Sequence, residues 1–167
     1  MMFLSMMISP KKKASAKQVQ YAALPYRKND GSLTEILLIT SRHTGRWIIP
    51  KGWPLKGKAP HKTAEREALE EAGLVGKIDR RPIGSFSYEK RLKRGEIVVC
   101  EVLVFMLKVK RQKASWPEKG ERQLKWLSQP VAAETVGDPV LGIIIRALCL
   151  SGDLSSVSRR ERLRPTH

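Results

Sequence analysis

One short segment constrains this chain more than any other. Between Pro60 and Gly73 the residues read as a sharply bounded helix over Pro60 to Ala72. Proline suits the first helical turn and glycine suits the residue just past the last. Ala64, Ala68 and Ala72 form a stripe of small residues along it. Glu65, Glu67, Glu70 and Glu71 put four of the chain's sixteen acidic residues within seven positions. At about 100° per residue, Glu67, Glu70 and Glu71 fall within one sector beside the alanine stripe.

That sector has a physical cost. Glu67 and Glu71 are a like-charge i,i+4 pair, which destabilises an isolated helix by a few tenths of a kcal/mol. A hard divalent cation taking oxygen ligands reverses the penalty, and Mg²⁺ with phosphate oxygens fits best. Arg66 is spaced to pair with Glu70. A solvated acidic face is the bland alternative.

The scarcity of acids elsewhere gives the cluster its weight. The chain has 32 Lys+Arg against 16 Asp+Glu over 167 residues, a net charge of +16. Residues 1–17 and 151–167 hold eight of the cations and two of the acids, so these two segments carry +6 and the body +10. Both ends read as mobile basic tails without an apolar face, and 18–150 as one domain. The opening Met1 to Ile8 is apolar but far shorter than the ~20 residues of a membrane span, and it lacks the marks of a secretory signal. Cys100 and Cys149 are too few for a disulfide framework or a zinc site. A cytoplasmic protein is therefore expected, with anionic partners and no membrane association.

Around the helix, patterns alternate. Val19 to Pro25, Glu35 to Ser41 and Trp47 to Ile49 read as strands, and Lys51 to Ala59 as a Gly/Pro-rich loop. Ile83 to Tyr88 and Glu96 to Val109 read as longer strands around the basic turn Lys90-Arg91-Leu92-Lys93-Arg94-Gly95. Gln123 to Leu127 is a further strand, and a last helix opens at Asp138-Pro139. Cys100 reads as packing, and Glu101, on an alternating strand, needs a partner if buried. His43 and His61 make no metal spacing. Strands interleaved with helices predict an α/β domain with a mixed sheet.

The wider segment Gly52-Trp53-Pro54-Leu55-Lys56-Gly57-Lys58, then Ala59 to Glu65, then Arg66-Glu67-Ala68-Leu69-Glu70-Glu71-Ala72-Gly73-Leu74 resembles the Nudix (MutT-type) box. Every spacing of that 23-residue pattern is kept. One position departs: Lys58 stands where the family places its first glutamate. The approach Leu37 to Arg42 with Gly45 to Pro50 is similar to the diphosphoinositol polyphosphate and dinucleoside polyphosphate hydrolase branch. So are Trp116-Pro117-Glu118 and Glu121 to Leu127.

The resemblance implies a Nudix-type α/β/α sandwich and a hydrolase cleaving a diphosphate linkage in a nucleoside- or inositol-linked polyphosphate. It implies Mg²⁺ or Mn²⁺ held by Glu67 and Glu71 with the Gly52 carbonyl, and Glu70 as a further ligand or as the base that activates water. Arg66 would hold Glu70 in place. Arg42, Arg46, Lys51 and Lys58 are candidates for gripping substrate phosphates, since planar guanidinium and point-charge ammonium groups both suit them. Glu96, Glu118 and Glu121 are candidates for a carboxylate from outside the box. The rival reading, favoured by Lys58 and the tails, is a weakly catalytic Nudix domain serving as a basic RNA- or polyphosphate-binding module.

Overall fold

The computed structural model describes residues 17–30 and 33–148. The expected basic tails fall outside these residues, apart from Lys17, as do Gly31 and Ser32 of the first turn. Eight strands form one mixed sheet: β1 (Gln18–Lys28), β2 (Thr34–Thr40), β3 (Trp47–Ile48), β4 (Lys51–Gly52), β5 (Leu74–Ile78), β6 (Gly84–Arg91), β7 (Ile97–Gln112) and β8 (Leu124–Ser128). The helices are α1 (Pro60–Ala72), α2 (Gln129–Thr135) and α3, residues 139–148. Among the described residues no helix is long and apolar enough to cross a membrane.

The parallel pair β1 and β7 forms the spine, with Gln18 opposite Cys100 and Tyr26 opposite Lys108. Every other pairing is antiparallel. Along β1, β2 meets one end and β4 the other; along β7, β6 and β5 divide the length in the same way. β8 lies on β2.

Alternation along the central strands splits the core into two layers. Ala23, Leu37, Ile39, Phe105 and Leu107 face α1 and its buried alanines 64, 68 and 72. Ala22, Leu24, Ile36, Leu38, Val102 and Val104 face α2 and α3, meeting Ala132, Ala133, Leu141 and Ile145. The result is an α/β/α sandwich with a mixed sheet, as the sequence predicts.

Helix α1 has the predicted bounds. Pro60 occupies its first turn, and Gly73 takes the left-handed conformation (φ 69°) while its amide bonds the Leu69 carbonyl at 2.9 Å. Asp138 starts α3 by accepting the Val140 and Leu141 amides at 2.9 and 3.0 Å. Two elements, β5 and α2, lie where the sequence pattern predicts none. β5 follows Gly73 directly, and its Gly76 sits at a register shift where a side chain would overlap the Lys108 carbonyl. α2 is only seven residues long. The segment read as a loop from Lys51 also contains β4, which ties Gly52 to Tyr21.

Candidate active site

Helix geometry grades the burial of the three box glutamates. The alanine stripe points into the sheet, Glu71 lies about 60° from its centre, Glu67 about 100° and Glu70 about 160°. Glu71 is buried, and Glu67 and Glu70 are half-buried. The Glu71 side chain is 8% exposed, whereas Glu70 is 31% exposed and occupied by Arg66, Nε to Oε1 2.5 Å.

Glu71 is held from two sides. Its Oε1 accepts a hydrogen bond from Arg122 Nη2, and its Oε2 accepts the Lys51 amide at 3.2 Å. Arg122, only 5% exposed, also donates Nε to Glu118 at 3.1 Å and Nη1 to the Thr40 carbonyl at 3.0 Å. One guanidinium thus joins α1, the end of β2 and the turn before β8. Burial, with Glu67 and Glu118 nearby, pushes the Glu71 carboxyl up to about 7 against the pull of Arg122. Burial first, then Glu70 and Glu118, also raises Glu67.

Gly52 is required by closeness. A Cβ there would overlap the Glu67 carboxylate, so that carboxylate lies directly against the Gly52 backbone. Next to it, burial lowers the Lys51 ammonium, opposed by the Glu71 carboxylate. Lys51 Nζ stands 5.0 Å from the Tyr88 ring centre, and the Tyr88 hydroxyl donates to Gln20 at 2.6 Å.

These groups line a cleft of about 930 Å³. Of the residues singled out from sequence, Glu67, Glu71, Gly52, Arg42, Arg46 and Lys51 all border it. Glu118, one of three outside acids considered, borders it too; Glu96 and Glu121 do not. Glu121 instead pairs with Arg42 at 3.2 Å. Arg66, Glu70 and Lys58 are also absent from the cleft wall. Lys58 is exposed in a turn closed by its amide on the Leu55 carbonyl at 3.0 Å. The stretch read as a basic turn from Lys90 begins inside β6; Lys90 and Arg91 at its end and Lys93 in the turn beyond reach the cleft, with Lys90 stacked over Trp53 at 4.5 Å. Glu101 lies elsewhere and finds its partners in Lys17 (2.9 Å) and Ser85 (3.4 Å).

Arg122 is the residue that sequence reasoning passed over. It lies 51 positions from Glu71, and nothing in its local pattern separates it from the chain's many surface cations. Its only signal was its place beside Glu118 and Glu121 in the segment carrying the resemblance.

The residues present suit a hard divalent cation. The donors are all oxygen: the carboxylates of Glu67, Glu71 and Glu118, with backbone carbonyl at Gly52. Burial, then carboxylate crowding, disfavours the ionised forms of Glu67 and Glu71, which is the penalty a dication removes. Among the described residues no three His, Cys, Asp or Glu side chains already form a closed cage. Glu71 is turned to Arg122 instead.

A family model, the NUDIX domain, matches residues 17–147. The chain belongs to the Nudix hydrolase family. The mitochondrial Nudix hydrolase 18 of Arabidopsis thaliana is 30% identical over 138 residues, 76% of either chain. The chloroplastic Nudix hydrolase 21 of the same plant is 32% identical over 111 residues. That match takes in 65% of this chain and about half of the relative, 54%. Among solved structures, a C. elegans Ap4A hydrolase in a binary complex superposes with a TM-score of 0.60 at 20% identity. The superposition covers 81% of this chain and 98% of that one, a likeness of fold. In this Nudix domain the box therefore comprises β4, the turn carrying Lys58, α1 and the Gly73 stop, with Glu67 and Glu71 facing the cleft.

Proposed function

We propose that the protein hydrolyses a diphosphate linkage in a nucleoside- or inositol-linked polyphosphate, such as a dinucleoside polyphosphate or a diphosphoinositol polyphosphate, with Mg²⁺ or Mn²⁺. The observation that carries this reading is the pairing of charge within one cleft. Glu67 and Glu71 meet beside Gly52, while Arg42, Arg46, Lys51, Lys90, Arg91 and Lys93 line the same space. A carboxylate pair alone repels phosphate, and cations alone only bind it; the two together suit a metal-assisted attack on it.

Glu67 and Glu71 would hold the cation, with the Gly52 carbonyl contributing. When bound, Mg²⁺ or Mn²⁺ supplies Lewis acidity, neutralising phosphate charge and making water more acidic. Lys51, half enclosed by Tyr88 and beside Glu71, would neutralise phosphate oxygens at the cleft floor. Arg42 and Arg46 would grip phosphates at one side, and Lys90, Arg91 and Lys93, at and beyond the end of β6, at another. Water attacks one phosphorus of the P–O–P bridge, its proton passes to a carboxylate, and the bridging oxygen leaves with the other phosphate.

The test is a phosphate-release panel over nucleotides, dinucleoside polyphosphates and inositol polyphosphates with Mg²⁺, Mn²⁺ or chelator. Metal-dependent turnover of at least one class is expected, and no turnover of any class would sink the reading. The rival binding module, drawn from Lys58 and from tails outside the described residues, makes a different forecast. It would bind RNA with an affinity falling steeply with salt and would lack turnover.

A further inference from the structure

We infer that the exposed cations where β5 meets the far end of β7 form a binding surface for the phosphate backbone of single-stranded nucleic acid, separate from the cleft. The inference goes beyond the hydrolase reading and does not depend on it.

Strand register sets the surface. Lys108 of β7 lies directly opposite Lys77 of β5 and, on its other side, opposite Tyr26 of β1. Like charges placed directly opposite on adjacent strands repel. Just beyond, Val109 pairs with Gly76 but Arg111 with Val75, which leaves Lys110 as the extra residue of a bulge. Lys77, Lys108, Lys110 and Arg111 are all exposed, as are Arg80 and Arg81 just past β5. Residues 74–83 hold three cations and 107–113 hold four, against the single acid Asp79. Asp79 acts on the Tyr26 hydroxyl, which burial raises first and that carboxylate second. Glu35, near the same end of β1, is taken by Arg27 at 2.7 Å. Among the described residues, none of the six named cations is in an ion pair.

Guarding an edge strand against pairing with another chain is a common use of lysine. It accounts for Lys77 on β5, but Lys108 sits on β7 between two paired strands. Nor does the surface belong to the cleft, since none of these cations borders it. Tyr26 lies six residues along β1 from Gln20 of the cleft wall, roughly 20 Å at about 3.3 Å per residue.

A repeating polyanion fits this arrangement. Adjacent strands are about 4.8 Å apart, and alternate residues on one strand about 6.6 Å. Cations spaced so can follow several phosphates of one extended strand. A lipid surface fits less well, because none of the exposed large apolar side chains lies on β5 or beyond Val99 on β7.

The experiment titrates a fluorescein-labelled oligouridine with the full chain by anisotropy over a range of salt. Wild type is compared with Lys77→Gln/Lys108→Gln/Lys110→Gln and with Lys56→Gln/Lys62→Gln/Lys125→Gln, which removes the same charge elsewhere. Urea unfolding checks that both are folded. Each phosphate contact on a single strand adds about 0.7 to the slope of log affinity against log salt. The first variant should therefore lose about 2 from that slope and about 10-fold or more in affinity at roughly 0.1 M salt. The second should stay within about threefold of wild type, showing that place matters as well as net charge. An equal loss in both variants, wild-type affinity in the first, or a wild type that binds no oligouridine overturns the assignment. So does tighter binding to phosphatidylserine vesicles that the first variant alone loses. Phosphate release in the first variant should match wild type, and its loss would contradict a surface separate from the cleft.

Discussion

Replacing Arg122 by Met removes a cation that is 5% exposed and leaves Glu71, 8% exposed, without its counter-charge. Breaking a buried pair from one side costs about 3–5 kcal/mol when the remaining partner stays ionised. The Thr40 carbonyl also loses its charged donor, worth about 1.5–3 kcal/mol. Glu118 can turn to solvent and adds little. Protonation offers Glu71 an escape, since its carboxyl already sits at about 7 with Arg122 present. The Arg122→Met penalty should therefore depend on pH. Urea unfolding in chelator is expected to give a loss of about 3 kcal/mol or more at pH 8. At pH 5.5, where Glu71 holds a proton in both proteins, only the hydrogen-bond loss of about 1.5–3 kcal/mol should remain, smaller than the loss at pH 8. In a Glu71→Gln background the pH dependence of the loss should largely vanish. An equal loss at both pH values, or a larger one at pH 5.5, refutes the claim that Arg122 compensates a buried carboxylate.

Three further outcomes follow from the same site. The folded Glu71 carboxyl lies above its ordinary value of 4.5, so its contribution favours the fold below about pH 4.5 and is lost as pH rises through 7. Metal-free stability should fall from pH 5 to 8, and the rise in Tm on adding Mg²⁺ should grow over the same range; a flat difference would count against the cluster. Gly52→Ala places a methyl in the space of the Glu67 carboxylate, so Mg²⁺-dependent activity should drop by about 10-fold or more, the scale of a displaced metal ligand, with the fold retained. Unchanged activity would remove Gly52 from the site. Lys58→Glu changes an exposed residue off the cleft wall and should leave Mn²⁺ binding nearly unchanged; a gain of about 10-fold or more, the scale on which metal partners act, would bring position 58 into the site.

The box helix was legible because its signals are local. Pro60 and Gly73 bound it through backbone geometry, and the offset of the glutamates from Ala64, Ala68 and Ala72 orders their burial. Asp138-Pro139 announced the last helix through a side-chain cap. β5 was hidden because Leu74 to Ile78 is short, interrupted by Gly76, and stabilised by pairing with β7 far along the chain. α2 is likewise too short for a helical period to emerge. The departure at Lys58 was visible in the sequence, but its consequence was not. That consequence depends on Arg66 pairing with Glu70 instead, and on Arg122, whose partners are 82, 51 and 4 positions away.

The central claim is that Glu67 and Glu71 hold the cation on which diphosphate cleavage depends. The most direct measurement is phosphate release by wild type and by folded Glu67→Gln, each with Mg²⁺ and with chelator, on the best substrate of the panel. Wild-type turnover should need the metal, and Glu67→Gln should lose most of it while unfolding at an equal or higher urea concentration. Turnover that survives both the chelator and the substitution would contradict the account.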